Sequence, residues 1–135
     1  MAIDFSPIWI SLKTALTATL LTFFFGIAAA WHVANYRGKL KGLVDGLLTL
    51  PMVLPPTVAG FFLLLIFGKY GPIGKILYAL GIPVIFTWQA TVIAATVVAF
   101  PLMYKTARAA FEQIDGNILN AARTLGVSEW NVFWR

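Results

Sequence analysis

The sequence predicts an all-α protein whose helices cross a membrane more than once. Three observations predict it: 60% of the 135 residues are hydrophobic, only 11% are charged against 15% aromatic, and the charges fall between long apolar runs. Soluble domains carry about 25% charged residues, and about 45–50% apolar ones even with glycine included. Thr14–Tyr36, Gly46–Gly68 and Ile76–Tyr104 hold no formal charge when His32 is neutral. A helix rises about 1.5 Å per residue, so about 20 residues cross a hydrocarbon layer of roughly 30 Å. Helices of a soluble bundle keep a polar stripe, whereas Phe23-Phe24-Phe25 and Phe61–Phe67 are apolar all round. A core able to surround three such helices does not fit in a chain of this size.

The composition also excludes function classes. The absence of cysteine rules out a disulfide framework and a thiolate metal site. The single histidine, His32, rules out a histidine-rich metal site or a catalytic triad built on histidine. A net charge of +5 would suggest nucleic acid for a soluble chain. Here the basic residues flank apolar spans, and membrane lipid, not nucleic acid, is the expected neighbour.

The first span is expected over about 8–36. It is too long for a signal peptide and lacks a small-residue cleavage site after a short apolar core. Gly26, Ala28, Ala29 and Ala30 permit close helix contact. His32 reads as an interfacial packing residue. The second span is expected over 43–67, and Pro51, Pro55, Pro56 and Gly60 interrupt it. Proline removes a backbone donor and crowds the preceding turn, so the helix should bend or open. Broken backbone at membrane depth is tolerated only against protein or a water-filled cavity. A packing kink and a helix that lines a pathway both satisfy this. On the second reading the pathway-lining candidates are Thr49, Pro51, Pro55, Pro56, Thr57 and Gly60, with Thr49 and Thr57 offering hydroxyls to the break. Gly71-Pro72 starts a loop in which Ile73, Ile76, Leu77 and Leu80 share the face of a short interfacial helix ended by Gly81. The third span is expected over 84–104. The spans are read as free of Asp and Glu, against an acidic proton relay.

Orientation follows from the basic residues. Arg37, Lys39 and Lys41, with Lys105, Arg108, Arg123 and Arg135, outnumber Lys13, Lys69 and Lys75 on the other side. The positive-inside rule places the first loop and the tail in the cytoplasm and the amino terminus outside. The tail should continue helically to Gln113 and break at Asp115-Gly116-Asn117. Asn117 is expected to cap a helix with Ile118, Ala121, Ala122 and Leu125 on one face. Gly126 is expected in a left-handed turn, and Ser128 should cap a last helix presenting Trp130, Phe133 and Trp134 on one face. Such an apolar surface needs the bundle, lipid or another protein as its partner.

Asn120-Ala121-Ala122, three residues, then Gly126 resembles the cytoplasmic loop of bacterial binding-protein-dependent ABC importer permeases. Their pattern is Glu-Ala-Ala, three residues, glycine, nine residues, then Ile-x-Leu-Pro. Asn120 stands where the pattern has glutamate, which weakens an ionic role there. The chain stops at Arg135, one residue before the expected isoleucine, so a truncated permease is expected. Leu50–Gly60, Phe67–Gly74 and Ala99–Arg108 resemble molybdate permeases in particular, and sulfate permeases share much of this.

The resemblance implies an ABC importer permease fold in the bacterial inner membrane, a second copy of the permease, and a pathway between the copies. It implies a cytoplasmic ABC ATPase that binds ATP, and a periplasmic or lipid-anchored oxyanion-binding protein. Residues 117–135 would be the coupling loop, with Asn120, Ala121, Ala122, Gly126 and Trp130 as its contact candidates. The chain is not expected to be an enzyme or to hold a cofactor. It has no glycine loop with the Lys and Ser/Thr that bind nucleotide phosphates. A tungstate or sulfate permease is the alternative within the family. A small membrane interaction subunit complete at 135 residues is the alternative outside it. An ion channel finds no carbonyl filter or acidic ring here.

Overall fold

The computed structural model describes residues 2–134, so Arg135 of the expected basic tail and coupling loop lies outside the described residues. The described residues form seven helices and no strand: α1 Ser6–Asn35, α2 Lys41–Val53, α3 Pro56–Phe67, α4 Pro72–Ala79, α5 Trp88–Glu112, α6 Gly116–Thr124 and α7 Glu129–Trp134. α1 and α5 are long and apolar enough to cross a membrane.

These two helices pack side by side and in the same direction. Near their starts, Trp88 Nε1 donates to Thr14 Oγ1 at 2.6 Å. Midway, a Cβ added to Gly26 would lie 2.7 Å from Met103 Cγ. Near their ends, the Trp31 and Phe111 rings meet edge to face at 5.4 Å. The buried face of α1 is Thr14, Ala18, Thr22, Gly26, Ala30 and Val33. The first five recur every fourth position, a ridge of small residues that lets a neighbouring backbone approach closely. Between apolar helices in lipid, dispersion and interhelical hydrogen bonds replace the hydrophobic drive. α5 answers with Val92, Pro101, Tyr104 and Ala107. Tyr104 and Ala30 are both wholly buried.

Parallel packing of α1 and α5 requires the intervening chain to carry the path back. α2 and α3 do this as a broken pair, bent by 114°. The expected single bent span over 43–67 is therefore two helices. The cause is local: Leu54 and Pro55 each precede a proline and are pushed out of the helical region, to ψ 140° and 142°. Two extended residues in succession end α2 before α3 begins. Pro51, by contrast, sits inside α2. Its ring removes the bond to the Leu47 carbonyl one turn before the helix ends.

The third span also differs from expectation. α5 begins at Trp88, after a turn in which Thr87 N donates to Val84 O at 3.2 Å and Phe86 adopts a left-handed φ of 59°. Its other end is as expected, for the same helix runs on beyond Tyr104 to Glu112, with Gln113 at its C-cap. α4 packs on α3 and closes at Gly81, whose φ is +73°.

Candidate functional site: the proline break and the terminal helices

The pathway candidates separate in space. Pro55, Pro56, Thr57 and Gly60 are exposed along the break and the first turns of α3. Pro51 instead faces a cleft of about 560 Å³ with Leu47, Ala28, His32, Val97 and Phe100. Gly60 faces a smaller cleft, about 190 Å³, with Phe67, Val84 and Ala90. The hydroxyl of Thr49 is spent within its own helix, donating to Asp45 O at 2.9 Å, and so is not offered to the break. A threonine in mid-helix reaches the carbonyl four residues back more readily than a group across a bend.

The Pro51 cleft has a polar feature despite its apolar walls. Pro51 and Pro101 lack the N–H that would bond the carbonyls of Leu47 and Val97, and both of these residues line the cleft. His32 stands at its rim, exposed, with Nδ1 2.7 Å from Ala28 O.

An ionic cluster joins the start of α2 to the end of α5. Tyr104, Arg108 and Glu112 lie four residues apart and so share one face of α5. Tyr104 Oη donates to Asp45 Oδ1 at 3.0 Å, and Arg108 Nη1 donates to the same oxygen. Arg108 Nε donates to Glu112 Oε1 at 2.8 Å, and Lys41 Nζ lies 3.7 Å from that oxygen. Two cations thus meet two carboxylates. The reading of the spans as free of acids is corrected here, because Asp45 lies inside the 43–67 segment. Its partner is 63 positions away, and spacing alone gives no sign of the pairing.

Beyond the cluster the chain turns at Gln113–Asp115 into α6. The capping side chain is Asp115, not Asn117: Asp115 Oδ1 accepts from Asn117 N at 2.9 Å. A carboxylate two residues ahead outcompetes an amide already inside the first turn, because it also faces the positive helix end. At the other end Gly126 N donates to Arg123 O at 3.0 Å and Val127 N to Ala122 O at 3.2 Å, with Gly126 at φ +74°. This is the paired closure that requires a left-handed residue. Ser128 Oγ accepts from Asn131 N at 3.4 Å and caps α7, as its position suggests.

Arg123 and Glu129 clamp the turn, Nε to Oε1 at 2.7 Å. The hydrogen bonds that Arg123 donates to the Glu129 carboxylate hold its pKa above the ordinary value. The apolar face of α6 has no cover: Ile118 is 65% and Leu125 81% exposed. Asn120 and Ala121 are exposed beside it and Ala122 is half-buried. The expected common face of α7 is present, since Trp130, Phe133 and Trp134 line one cleft with Phe23, Phe24 and Trp31 of α1, and the Phe133 ring also meets Trp134 at 5.6 Å. Phe133 packs on Trp31 at 5.2 Å and on Phe111 at 5.9 Å, whereas Trp130 and Trp134 stay exposed and touch each other. α7 is thus seated on the bundle by Phe133, and α6 projects from it.

Residues 22–135 match the family of binding-protein-dependent transport system inner membrane components. A putative molybdenum transport system permease protein, YvgM of Bacillus subtilis, is 45% identical over 96% of this chain and 57% of its own length. The molybdenum transport system permease protein ModB of Escherichia coli K12 is 42% identical over 97% of this chain and 58% of its own. A probable sulfate transport system permease protein, cysT of Chlorokybus atmophyticus, is 37% identical over 93% of this chain and 44% of its own. The chain therefore spans less than three-fifths of the length of these relatives.

Proposed function

The chain belongs to the family of binding-protein-dependent transport system inner membrane components, and from that premise we propose that it forms part of the permease subunit of an ATP-driven importer for molybdate or a related oxyanion. The two molybdenum permease relatives, at 45% and 42% identity, support molybdate as the substrate. The cysT likeness keeps sulfate, and by chemical similarity tungstate, as the second reading. Among the described residues, the charge-free runs of the spans offer a dianion no fixed cation. Passage then relies on backbone dipoles, hydroxyls and water, and selectivity resides mainly in a delivering periplasmic or lipid-anchored binding protein.

In this reading the amino terminus is outside, and the Arg37–Lys41 loop and the terminal helices are cytoplasmic. A second copy of the permease completes the pathway. ATP is bound and hydrolysed by a separate cytoplasmic ABC ATPase, which receives α6 and the Gly126 turn. The observation that carries the docking assignment is an apolar helix face, Ile118 and Leu125, left open beside two small residues and fixed in direction by a left-handed glycine. Nucleotide-driven movement of the ATPases then shifts the populations of inward- and outward-open states.

The test is made in the full-length permease with two variants. Ala122→Trp holds a partner away from the helix; Gly126→Val opposes the left-handed turn. Both should lower ATPase copurification and stimulated hydrolysis at near-normal membrane abundance. Normal copurification and full stimulation in both would overturn the docking assignment.

A further inference from the structure

The ionic cluster between α2 and α5 occupies a mechanically distinctive place. α2 has no fully buried residue. Val44 and Leu48 rest on the bundle as partly buried contacts, Pro51 faces the cleft shared with α1 and α5, and Asp45 and Lys41 add polar attachments. At its far end α2 meets the Leu54-Pro55-Pro56 break, where the chain turns by 114°. Clasped at one end and joined to α3 at the other through two extended residues, α2 is built to turn as a rigid unit about the break. The clasp residues on α5 sit on its last turns, and only Gln113–Asp115 separate that helix from α6. Arg108 is the central member. Its planar guanidinium bridges the carboxylate of α2 and that of Glu112 on its own helix, and so holds a fixed geometry that a point charge would not. Its side chain is only 22% exposed, so the pair is less screened than a surface contact.

We propose that the Asp45–Arg108–Tyr104 clasp transmits displacement of the terminal helices to α2, which then turns about the 54–56 break and alters the cleft at Pro51. Asp45, Tyr104 and Arg108 are positioning residues in this scheme, acting through α2 and not on the substrate. The inference rests on the docking of the ATPase at α6, but it concerns the step after docking.

The experiment uses full-length permease with its ATPase and binding protein in vesicles, and records ATPase copurification, ATP hydrolysis and labelled molybdate uptake together. Asp45→Asn keeps size and removes charge; Asp45→Glu keeps charge. Asp45→Asn should retain the ATPase and its hydrolysis while uptake per ATP falls about fivefold or more, the lower end of an ordinary coupling energy. Asp45→Glu should retain most of the ratio. If Asp45→Asn is depleted from the membrane, Tyr104→Phe makes the same comparison without changing charge. An unchanged ratio, or uptake and hydrolysis falling in proportion, overturns the clasp as a transmission element. Failure of the unmodified permease to retain the ATPase would overturn the docking reading instead.

Discussion

Thr22 lies at mid-depth in α1, 6% exposed, and its hydroxyl meets no partner among the described residues. A buried hydroxyl without a hydrogen bond costs about 1–3 kcal/mol. Thr22→Val removes that penalty at nearly the same shape, and thermal unfolding in detergent should show stability unchanged or raised by about 1 kcal/mol. Gly26 gives the opposite result. Any side chain there drives into Met103, so Gly26→Leu should separate α1 from α5 and lower membrane abundance several-fold, read by immunoblot. Tyr104→Phe forfeits one interhelical hydrogen bond, and its cost in the same unfolding assay should be modest, about 0.6 kcal/mol. Such residues are unequally legible in sequence. Gly26 stands out within a run of small residues, but the four-residue ridge from Thr14 to Ala30 becomes evident only once its partner helix is known. Asp45 and Arg108 are ordinary charges in sequence, and only the fold brings them together.

At the scale of the element, prolines and glycines are the most readable signals because each acts on its own backbone. Pro55 and Pro56 mark a break, and Gly81 and Gly126 take the left-handed conformations expected of them. The size of the bend is not readable. Whether two extended residues produce a kink or a 114° turn depends on the helices that α2 and α3 rest against. The start of α5 is displaced for a similar reason: Val84–Thr87 is apolar enough for a span, yet it forms the turn that seats Trp88 against Thr14. Replacing Pro55 and Pro56 together with alanine should allow α2 and α3 to join. Membrane insertion should persist, and a structure of the variant should show a smaller angle, with uptake reduced. Normal uptake with an unaltered helix path would make the break incidental to transport.

For the whole molecule, the apolar runs lead one to expect three crossings and the basic residues their alternation, while the structure has two helices long and apolar enough to cross and a third crossing where the bent α2–α3 pair counts as one. The fold agrees in one respect that charge does not supply: α1 and α5 run parallel, so the segment between them returns across the bundle. Cysteines placed at Lys39, Tyr70 and Asn120 should label from inside, outside and inside; labelling of position 70 only from the cytoplasmic side would invert the topology. α7 is seated against α1 and α5 through Phe133, while Ile118 and Leu125 beside it stay exposed to meet a partner. That arrangement and the family together lead to the central claim, an oxyanion permease driven by a separate ATPase. The most direct measurement is uptake of labelled molybdate, tungstate and sulfate by vesicles holding the full-length permease, its ATPase and the binding protein. The account predicts accumulation that requires ATP on the side bearing the ATPase, with molybdate preferred and tungstate competing. Absence of ATP-dependent accumulation of all three anions, in vesicles where the complex is intact, would contradict it.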